Sequence, residues 1–264
     1  MENNVEVVQK AGVGSCKNTF IGEQHNYIGL SPNDAVNMAI SMLREYMPIL
    51  RQEILDELDK MLHNRLDCIS KDNIVPPDPR IAVPALQNAS ITREEEIRIL
   101  YANLLANSMN KIVKNGIHPS FIEIIKQLTP DEAKILRYLH MHYPFAPIIT
   151  LRYEDEKHAG VDVIKHFSNL GELSHCERPF EVSMYFDNLI RLGLIEITMS
   201  SSIVDKSHYE PLKNHQYIKH IVSSTKSNEK YNRTVYKEGY LSVTDFGRAF
   251  CDVCLSFRIV ISNK

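Results

Sequence analysis

The spacing with the clearest chemical potential is a C-x-x-C pair formed by Cys251 and Cys254. Thiolates at this spacing form redox pairs or half of a zinc site, and His175 with Cys176 could in principle complete a four-ligand set. Structural zinc sites usually show two paired ligand clusters, however, and the chain has no second C-x-x-C. The flanking apolar pattern instead favours two small buried residues, one turn apart on an amphipathic helix. We therefore predict no metal site.

Other familiar catalytic arrangements are missing from the sequence. It contains no glycine-rich phosphate loop of the Walker or Rossmann type, no Gly-x-Ser-x-Gly elbow and no His-Glu-x-x-His helix. His140 and His142 could form a small polar cluster, but a histidine pair without a carboxylate that orients it is weak evidence for acid–base catalysis. We predict a protein that is not an enzyme and needs no cofactor. A toxin enzyme with an unfamiliar site is the weakest alternative.

The composition is that of an ordinary globular protein. Of 264 residues, 44% are hydrophobic and 24% are charged, and the net charge of −3 argues against a protein that coats nucleic acid. The first 24 residues lack the basic-then-apolar layout of a signal peptide, and no run reaches the ~18–20 apolar residues of a membrane span. Five cysteines, an odd number, fit reduced thiols. These features predict a cytoplasmic protein without a membrane span.

One segment, residues 200–237, is locally basic. It has seven lysines and arginines against three acidic residues, a net charge of +4, with four tyrosines interleaved. Such a segment could hold nucleic acid through phosphate contacts and stacking. The alternative, which we favour, is a solvated β-hairpin whose lysines protect an exposed edge from pairing. The candidate nucleic-acid-binding residues are Lys206, Lys213, Lys219, Lys226, Lys230, Arg233 and Lys237.

The N-terminal half begins with a weakly patterned stretch, residues 1–30, which we interpret as an arm or loop. A capping Ser31 followed by Pro32 then marks a helix start. Apolar residues follow at steps of three and four, an eleven-residue repeat that matches the natural helix pitch, and Pro48 inside it predicts a kink or restart. The stripe could pack on the chain's own core or mediate self-association. Its candidate self-association residues are Val36, Leu43, Met47, Leu50, Ile54 and Leu58.

Further along, four prolines within residues 76–84 predict an extended linker over residues 72–84. Thr92 with Glu95 three residues later predicts a capping box at the start of the next helix. His118, Pro119 and Ser120 mark the start of a short helix.

The order of three segments is similar to the abortive-infection alpha (Abi-alpha) family. They are Pro-Ala-Leu-Gln-Asn-Ala-Ser at residues 84–90, the run containing Tyr-Ala-Asn-Leu-Leu-Ala at 101–106, and the run that opens with His-Pro-Ser-Phe at 118–121. The similarity covers about residues 74–135, with a looser match beyond. The resemblance implies a bacterial setting in phage defence. It supplies no catalytic residues.

The C-terminal half resembles a winged helix. A helix start at Thr129-Pro130, a strand over 148–151, a helix over 162–170, a helix from Pro179 closed by Gly193, and strands at 194–198 and 240–244 follow that order. A DNA-reading winged helix exposes basic and amide side chains on its groove helix. Here residues 178–192 carry two arginines against two acids, so we favour a protein contact over DNA.

Taken together, the sequence predicts a mainly α fold with a small antiparallel β component. We divide it into an arm (1–30), a helical domain (31–128) and a winged-helix-like domain (129–264). The predicted function is a non-enzymatic phage-defence (abortive-infection) factor that binds a phage or host protein and forms homo-oligomers. The alternative function is a winged-helix DNA-binding transcriptional regulator.

Overall fold

A computed structural model describes residues 30–46, 52–142, 144–225 and 233–256, with backbone alone at 42–46, 52–55 and 225. The chain is mainly helical with one small antiparallel sheet. The N-terminal arm and the last eight residues lie outside the described part. Helices are α1 (Pro32–Tyr46), α2 (Gln52–Leu66), α3 (Pro79–Ile91), α4 (Glu95–Ser108), α5 (Ser120–Ile125), α6 (Pro130–His142), α7 (Leu170–Leu173), α8 (Val182–Arg191), α9 (Glu210–Lys213), α10 (Gln216–Thr225) and α11 (Asp245–Phe250). Strands are β1 (Ala146–Glu154), β2 (Gly160–Phe167), β3 (Ile195–Thr198) and β4 (Arg233–Val243).

The eleven-residue apolar repeat forms two helices rather than one rod. Ser31 caps α1 as predicted, because its hydroxyl accepts the backbone N–H of Asp34 at 3.2 Å. A continuous helix would hold Asn33 and His63 about 45 Å apart. Instead, His63 Nε2 lies 2.8 Å from Asn33 Oδ1, so α1 and α2 run antiparallel. The predicted break at Pro48 lies outside the described residues.

The extended linker predicted over residues 72–84 is wrong in its second half. Pro79 begins α3, where Asp78 caps the helix by accepting the backbone N–H of Arg80 at 2.9 Å. A proline in the first turn loses nothing, because its missing N–H would have had no partner. Pro84 lies inside the helix and does remove one bond. Burial of the α3 face against the core outweighs that loss, with Ile81, Ala82, Ala85 and Leu86 all buried.

The capping box predicted at Thr92 is also wrong. Thr92 ends α3 instead, and its hydroxyl donates to the carbonyl of Asn88 at 2.7 Å. Helix α4 begins three residues later, with Glu94 in the cap position. A capping box forms instead at the start of α6, where Glu132 Oε2 accepts the backbone N–H of Thr129 at 2.7 Å and the Thr129 hydroxyl accepts that of Glu132 at 3.3 Å.

The four strands form one antiparallel sheet in the order β2-β1-β4-β3. Strand β1 lies between two neighbours, pairing Ala146 with Leu241 and Glu154 with Arg233 on β4. On the other side of β4, Ile195 pairs with Val243 and Thr198 with Tyr240. The predicted strands at 148–151, 194–198 and 240–244 are therefore present, the last as the end of a much longer strand.

The helix predicted over residues 162–170 is wrong, because residues 160–167 form strand β2 against β1. Alternate β2 side chains are exposed, and the strand ends in the buried Phe167. This is the period-two pattern of a half-buried strand at the side of a sheet. Pairing with β1, a tertiary effect, decides between the two structures.

Residues 206–225 of the basic segment are helical and residues 233–237 begin β4, so its described part does not form the predicted β-hairpin. A 3₁₀ turn (Lys206–Tyr209), α9 and α10 pack on the outer face of the sheet, around Ile149, Phe167, Tyr209, Leu212 and Ile218. The Tyr209 hydroxyl anchors the segment, donating to the carbonyl of Gly239 at 2.9 Å. Strand β1 is thus covered on both faces, which explains its run of β-branched residues without alternation.

The main core lies on the other face of the sheet. One apolar cluster joins α1 to α6 with α8, β1, β4 and the last described turn. It contains residues on both sides of the boundary drawn between 128 and 129, and the division into domains stays a prediction. No helix in the described part of the chain is both long and apolar enough to cross a membrane.

Candidate interaction surface

Helix α8 turns one apolar face inward and presents a second, mixed face to solvent. Val182, Tyr185, Phe186 and Leu189 are buried in the core. The helix ends as predicted at Gly193, whose φ of 72° is left-handed, and the N–H of Leu194 reaches back to the carbonyl of Leu189 at 2.9 Å. Its exposed positions define the outer face of α8, namely Ser183, Met184, Asp187, Ile190 and Arg191.

Phe180 projects from the 3₁₀ turn that leads into α8, and 60% of its surface is exposed. The turn packs tightly on α7, because a Cβ atom on Gly171 would stand 2.2 Å from the carbonyl oxygen of Pro179. Only glycine therefore fits at position 171 without moving the turn. The position of Phe180 is set by this close approach.

Asp131, at the start of α6, holds in place the connection that leads from β2 to α8. Its Oδ1 accepts the backbone N–H of Glu177 at 2.9 Å and the Lys134 ammonium at 3.2 Å. Its Oδ2 accepts the backbone N–H of Arg178 at 3.1 Å and the Tyr185 hydroxyl at 3.0 Å. Burial raises the pKa of this carboxyl, but the hydrogen bonds outweigh it and the pKa lies below its ordinary value.

A cleft with a volume of about 710 Å³ lies between the 3₁₀ turn that carries Phe180 and α10. We call it the aromatic cleft; it is lined by Glu172, Phe180, Asn214, His215, Gln216, Tyr217 and His220. Three rings stack along its wall. The Tyr217 ring centroid lies 5.9 Å from that of the buried Phe167 and 5.7 Å from that of Phe180, with interplanar angles of 25° and 30°. The buried ring supports the two exposed ones.

His215 and Glu172 form an ion-pair-like contact across the cleft, with Nε2 3.0 Å from Oε2. The other ring nitrogen, Nδ1, accepts the backbone N–H of Tyr217 at 3.2 Å. His215 therefore carries its proton on Nε2 and donates it to the carboxylate. Because both nitrogens are engaged, this side chain links the Glu172 carboxylate to the start of α10.

Those candidate nucleic-acid-binding residues that the structure describes do not form one basic surface. Lys206 and Lys213 both contact the Glu238 carboxylate, at 2.6 and 2.9 Å, and Lys237 lies 3.5 Å from Asp162. Lys219 on α10 and Arg233 at the start of β4 are exposed. Lys226 and Lys230 lie outside the described residues.

The candidate self-association residues divide into two groups. Val36 and Leu58 are buried in the core of the chain itself, in line with the packing alternative for the stripe. Met47 and Leu50 lie outside the described residues, and the side chains of Leu43 and Ile54 are not described. Self-association through these four stays a prediction.

The C-x-x-C pair is buried as the structural alternative required. Cys251 and Cys254 are fully inaccessible, and burial raises the pKa of the Cys251 thiol to about 12. Both lie in a π-helical turn, Cys251–Leu255. Within the described ranges, no group of three or more histidine, cysteine or acidic side chains is arranged to hold a metal ion.

Two features escaped the sequence reasoning. His140 does have a carboxylate beside it, since Asp252 lies 3.3 Å away across the α6–π-turn packing. Phe180 was missed as a surface feature. An aromatic residue directly after a helix-opening proline, and outside the buried apolar stripe of α8, is the signal that could have found it.

The motif that carries the family resemblance has a structural role. Asn103 and Asn107, buried on α4, donate to the carbonyls of Cys254 and Val253, each at 2.7 Å. The two amides bind carbonyls at the end of the π-helical turn and so join α4 to it. Arg65 on α2 donates to Asn103 Oδ1 at 2.6 Å, which ties a third element to the same point.

The fold thus defines a helical protein built on one face of a small antiparallel sheet, with a short helical insert on the other face. Residues 50–254 match the family described as Abortive infection alpha. The chain belongs to this family. No curated protein matches it. A solved structure of an uncharacterised protein from the marine bacterium Alcanivorax borkumensis SK2 is similar over 52% of this chain and 92% of its own, with 17% identity and a TM-score of 0.37.

Proposed function

We propose that this chain is a non-enzymatic abortive-infection protein that acts by binding a phage or host protein through the outer face of α8. Family membership links the chain to abortive infection. What the fold adds is a surface suited to protein contact. The single observation that carries the proposal is the composition of the outer face of α8.

The strand order supports a winged-helix arrangement for the C-terminal half. The elements that correspond to a winged helix are, in chain order, α6, β1, α8, β3 and β4. Their three strands lie in the spatial order β1-β4-β3, and β2 is added outside β1. In that arrangement α8 occupies the place of the groove-reading helix. The chemistry of α8 therefore decides between protein and nucleic acid.

The outer face of α8 is apolar with no net charge, since its two charged residues are Asp187 and Arg191. Met184 is 56% exposed, Ile190 is also exposed, and Asp187 lies between them. Arg191 at the end of the helix is held by neighbours, since Nη1 donates to Gln127 at 2.9 Å and Nη2 to Asn188 at 2.6 Å. An exposed apolar strip favours a protein partner, whereas phosphates would meet an acid. The regulator alternative is weakened further by the lysines bound to Glu238.

Two of the eleven histidines, His215 and His63, have contacts that support a role without catalysis. His215 has both ring nitrogens engaged, as described above, and His63 has Nδ1 2.9 Å from the carbonyl of Asp59 and Nε2 2.8 Å from Asn33. A general base needs a nitrogen free to face substrate. The absence of enzyme activity remains part of the proposal.

The test is phage plating on cells that express the chain. We expect Met184→Glu to abolish protection, because it places a charge in the centre of the contact strip. Met141→Glu is the matched control, since Met141 is also a helical methionine and 69% exposed but lies on α6. Circular dichroism should show both variants folded. Full protection by Met184→Glu, or an equal loss in the control, would contradict the proposal.

A further inference from the structure

The aromatic cleft has the parts of a small-molecule site. Its volume of about 710 Å³ lies within the ~300–1,000 Å³ of typical ligand pockets. Its wall is a stack of three rings whose innermost member, Phe167, is buried while Tyr217 is 40% exposed. Phe180 ends the stack and has an open ring surface. A planar molecule placed against it would extend the stack by one member.

The remaining lining is rich in hydrogen-bonding groups. Asn214 and Gln216 supply amides, His220 an imidazole and Glu172 a carboxylate. A partner that stacks and also hydrogen-bonds along its edge uses both parts of the cleft. Nucleobases have this combination, because each has a flat π-face and a rim of donors and acceptors.

The charge of the lining residues narrows the class of ligand further. The seven lining residues include no lysine or arginine, and Glu172 adds a negative charge. Phosphate groups are normally held by cations or by helix N-termini. The N-terminus of α10 also lines the cleft, but the backbone N–H of Tyr217 there already donates to His215 Nδ1 at 3.2 Å. A nucleotide would therefore bring charges that the side chains of the cleft do not neutralise.

We infer that the aromatic cleft binds an uncharged planar heteroaromatic molecule, a nucleobase or a nucleoside, which stacks on Phe180. The Glu172 carboxylate accepts an exocyclic amino group, and the hydrogen bond from His215 holds that carboxylate in position. The inference does not rest on the proposed function, since the cleft is formed by different side chains from the outer face of α8.

The absence of tryptophan in the chain makes the test direct. Phe180→Trp places a single fluorophore at the end of the stack. Phe145→Trp is the matched control, because Phe145 is 51% exposed and lies 5.1 Å from the Tyr240 ring, away from the cleft. Adenosine should quench the first reporter saturably and the second only by collision. Adding Tyr217→Ala to the first reporter removes the ring that supports residue 180 and should weaken binding by roughly 2- to 12-fold, the worth of one aromatic pair.

Three further probes define the ligand class. Adenosine should bind more tightly than uridine, which stacks less, and at least as tightly as adenosine monophosphate. Equal quenching of both reporters, or no saturation with a Kd below roughly 5 mM, would overturn the inference. So would a clear preference for the monophosphate. N-acetyltyrosinamide binding as tightly as adenosine would also overturn it and would indicate a protein side chain as occupant. None of these results bears on the phage-plating test of α8.

Discussion

Replacement of Asp131 by asparagine tests the reasoning about how the surface is positioned. The carboxylate is 5% exposed and accepts four hydrogen bonds, from Glu177, Arg178, Tyr185 and Lys134. Asparagine keeps the shape but presents an NH₂ group to one pair of donors. Removing a charged partner from a buried hydrogen-bonded network costs about 2–4 kcal/mol. We expect the midpoint of thermal unfolding to fall by roughly 5–15 °C.

The same contacts predict how this difference changes with pH. Because the pKa of Asp131 is lower in the folded chain than in the unfolded one, its stabilisation is complete above the ordinary aspartate pKa of about 3.9. It is lost as the pH falls through the folded value. The gap between wild type and Asp131→Asn should therefore be full at neutral pH and should shrink below about pH 4.

The measurement is thermal unfolding followed by far-ultraviolet circular dichroism at neutral and acidic pH. Asp187→Asn is the control, because Asp187 is an exposed acid on α8 and its loss should change stability by less than about 0.5 kcal/mol. Tyr185→Phe removes one of the four bonds and should cost about 0.5–1.5 kcal/mol. If Asp131→Asn melts like the control at neutral pH, or if its deficit does not depend on pH, the carboxylate does not hold the connection.

Three further outcomes follow from other contacts. Gly193→Ala should destabilise the chain by about 1–2 kcal/mol in urea unfolding, because alanine at a φ of 72° is strained; an unchanged midpoint would mean that the turn relaxes without cost. Asn103→Ala should lower stability by about 1–3 kcal/mol, since it leaves the buried carbonyl of Cys254 without its donor, whereas the exposed Asn115→Ala should not. In thiol labelling at mildly alkaline pH, the exposed Cys68 should react at once, and Cys254, whose pKa is raised by complete burial, only on unfolding; labelling of the native chain at both would contradict the packing of the π-helical turn.

Predictions from the sequence were confirmed where the structure depends on neighbouring residues alone. Ser31 and Thr129 cap their helices, and Gly193 closes α8, because such contacts span three or four residues. Thr92 shows the limit. Its spacing to Glu95 suits a capping box, but the preceding segment is helical and uses Thr92 as its end.

The errors share one cause. Residues 79–84 were predicted as a linker, 162–170 as a helix and 200–237 as a hairpin, and each takes its form from a distant element. Burial against the core makes α3 helical despite Pro84, pairing with β1 makes β2 a strand, and the outer face of the sheet holds α9 and α10. Local propensity amounts to about 1 kcal/mol per residue or less, and to about 3 kcal/mol for a proline inside a helix, and tertiary packing outweighs it in these segments.

The candidate surfaces show the same division. The sequence alone predicts that α8 has a net charge near zero and shows Tyr217 as one of the aromatic residues of the basic segment. It could not place Tyr217 beside Phe180, because 37 positions separate them and α10 reaches Phe180 only by folding over the sheet. Nor could it show that Lys206 and Lys213 both form ion pairs with Glu238.

Residue order by itself determined the family, the starts of α1 and α6, the closing glycine, the buried C-x-x-C pair and the absence of a strong charge on α8, since these reside in short stretches of chain. Tertiary structure alone decided which cations pair with acids and where the three aromatic rings meet. The physical reason is that burial and ion pairing depend on distances between elements far apart in the chain, and those distances are set only when the sheet and its two layers of helices have packed.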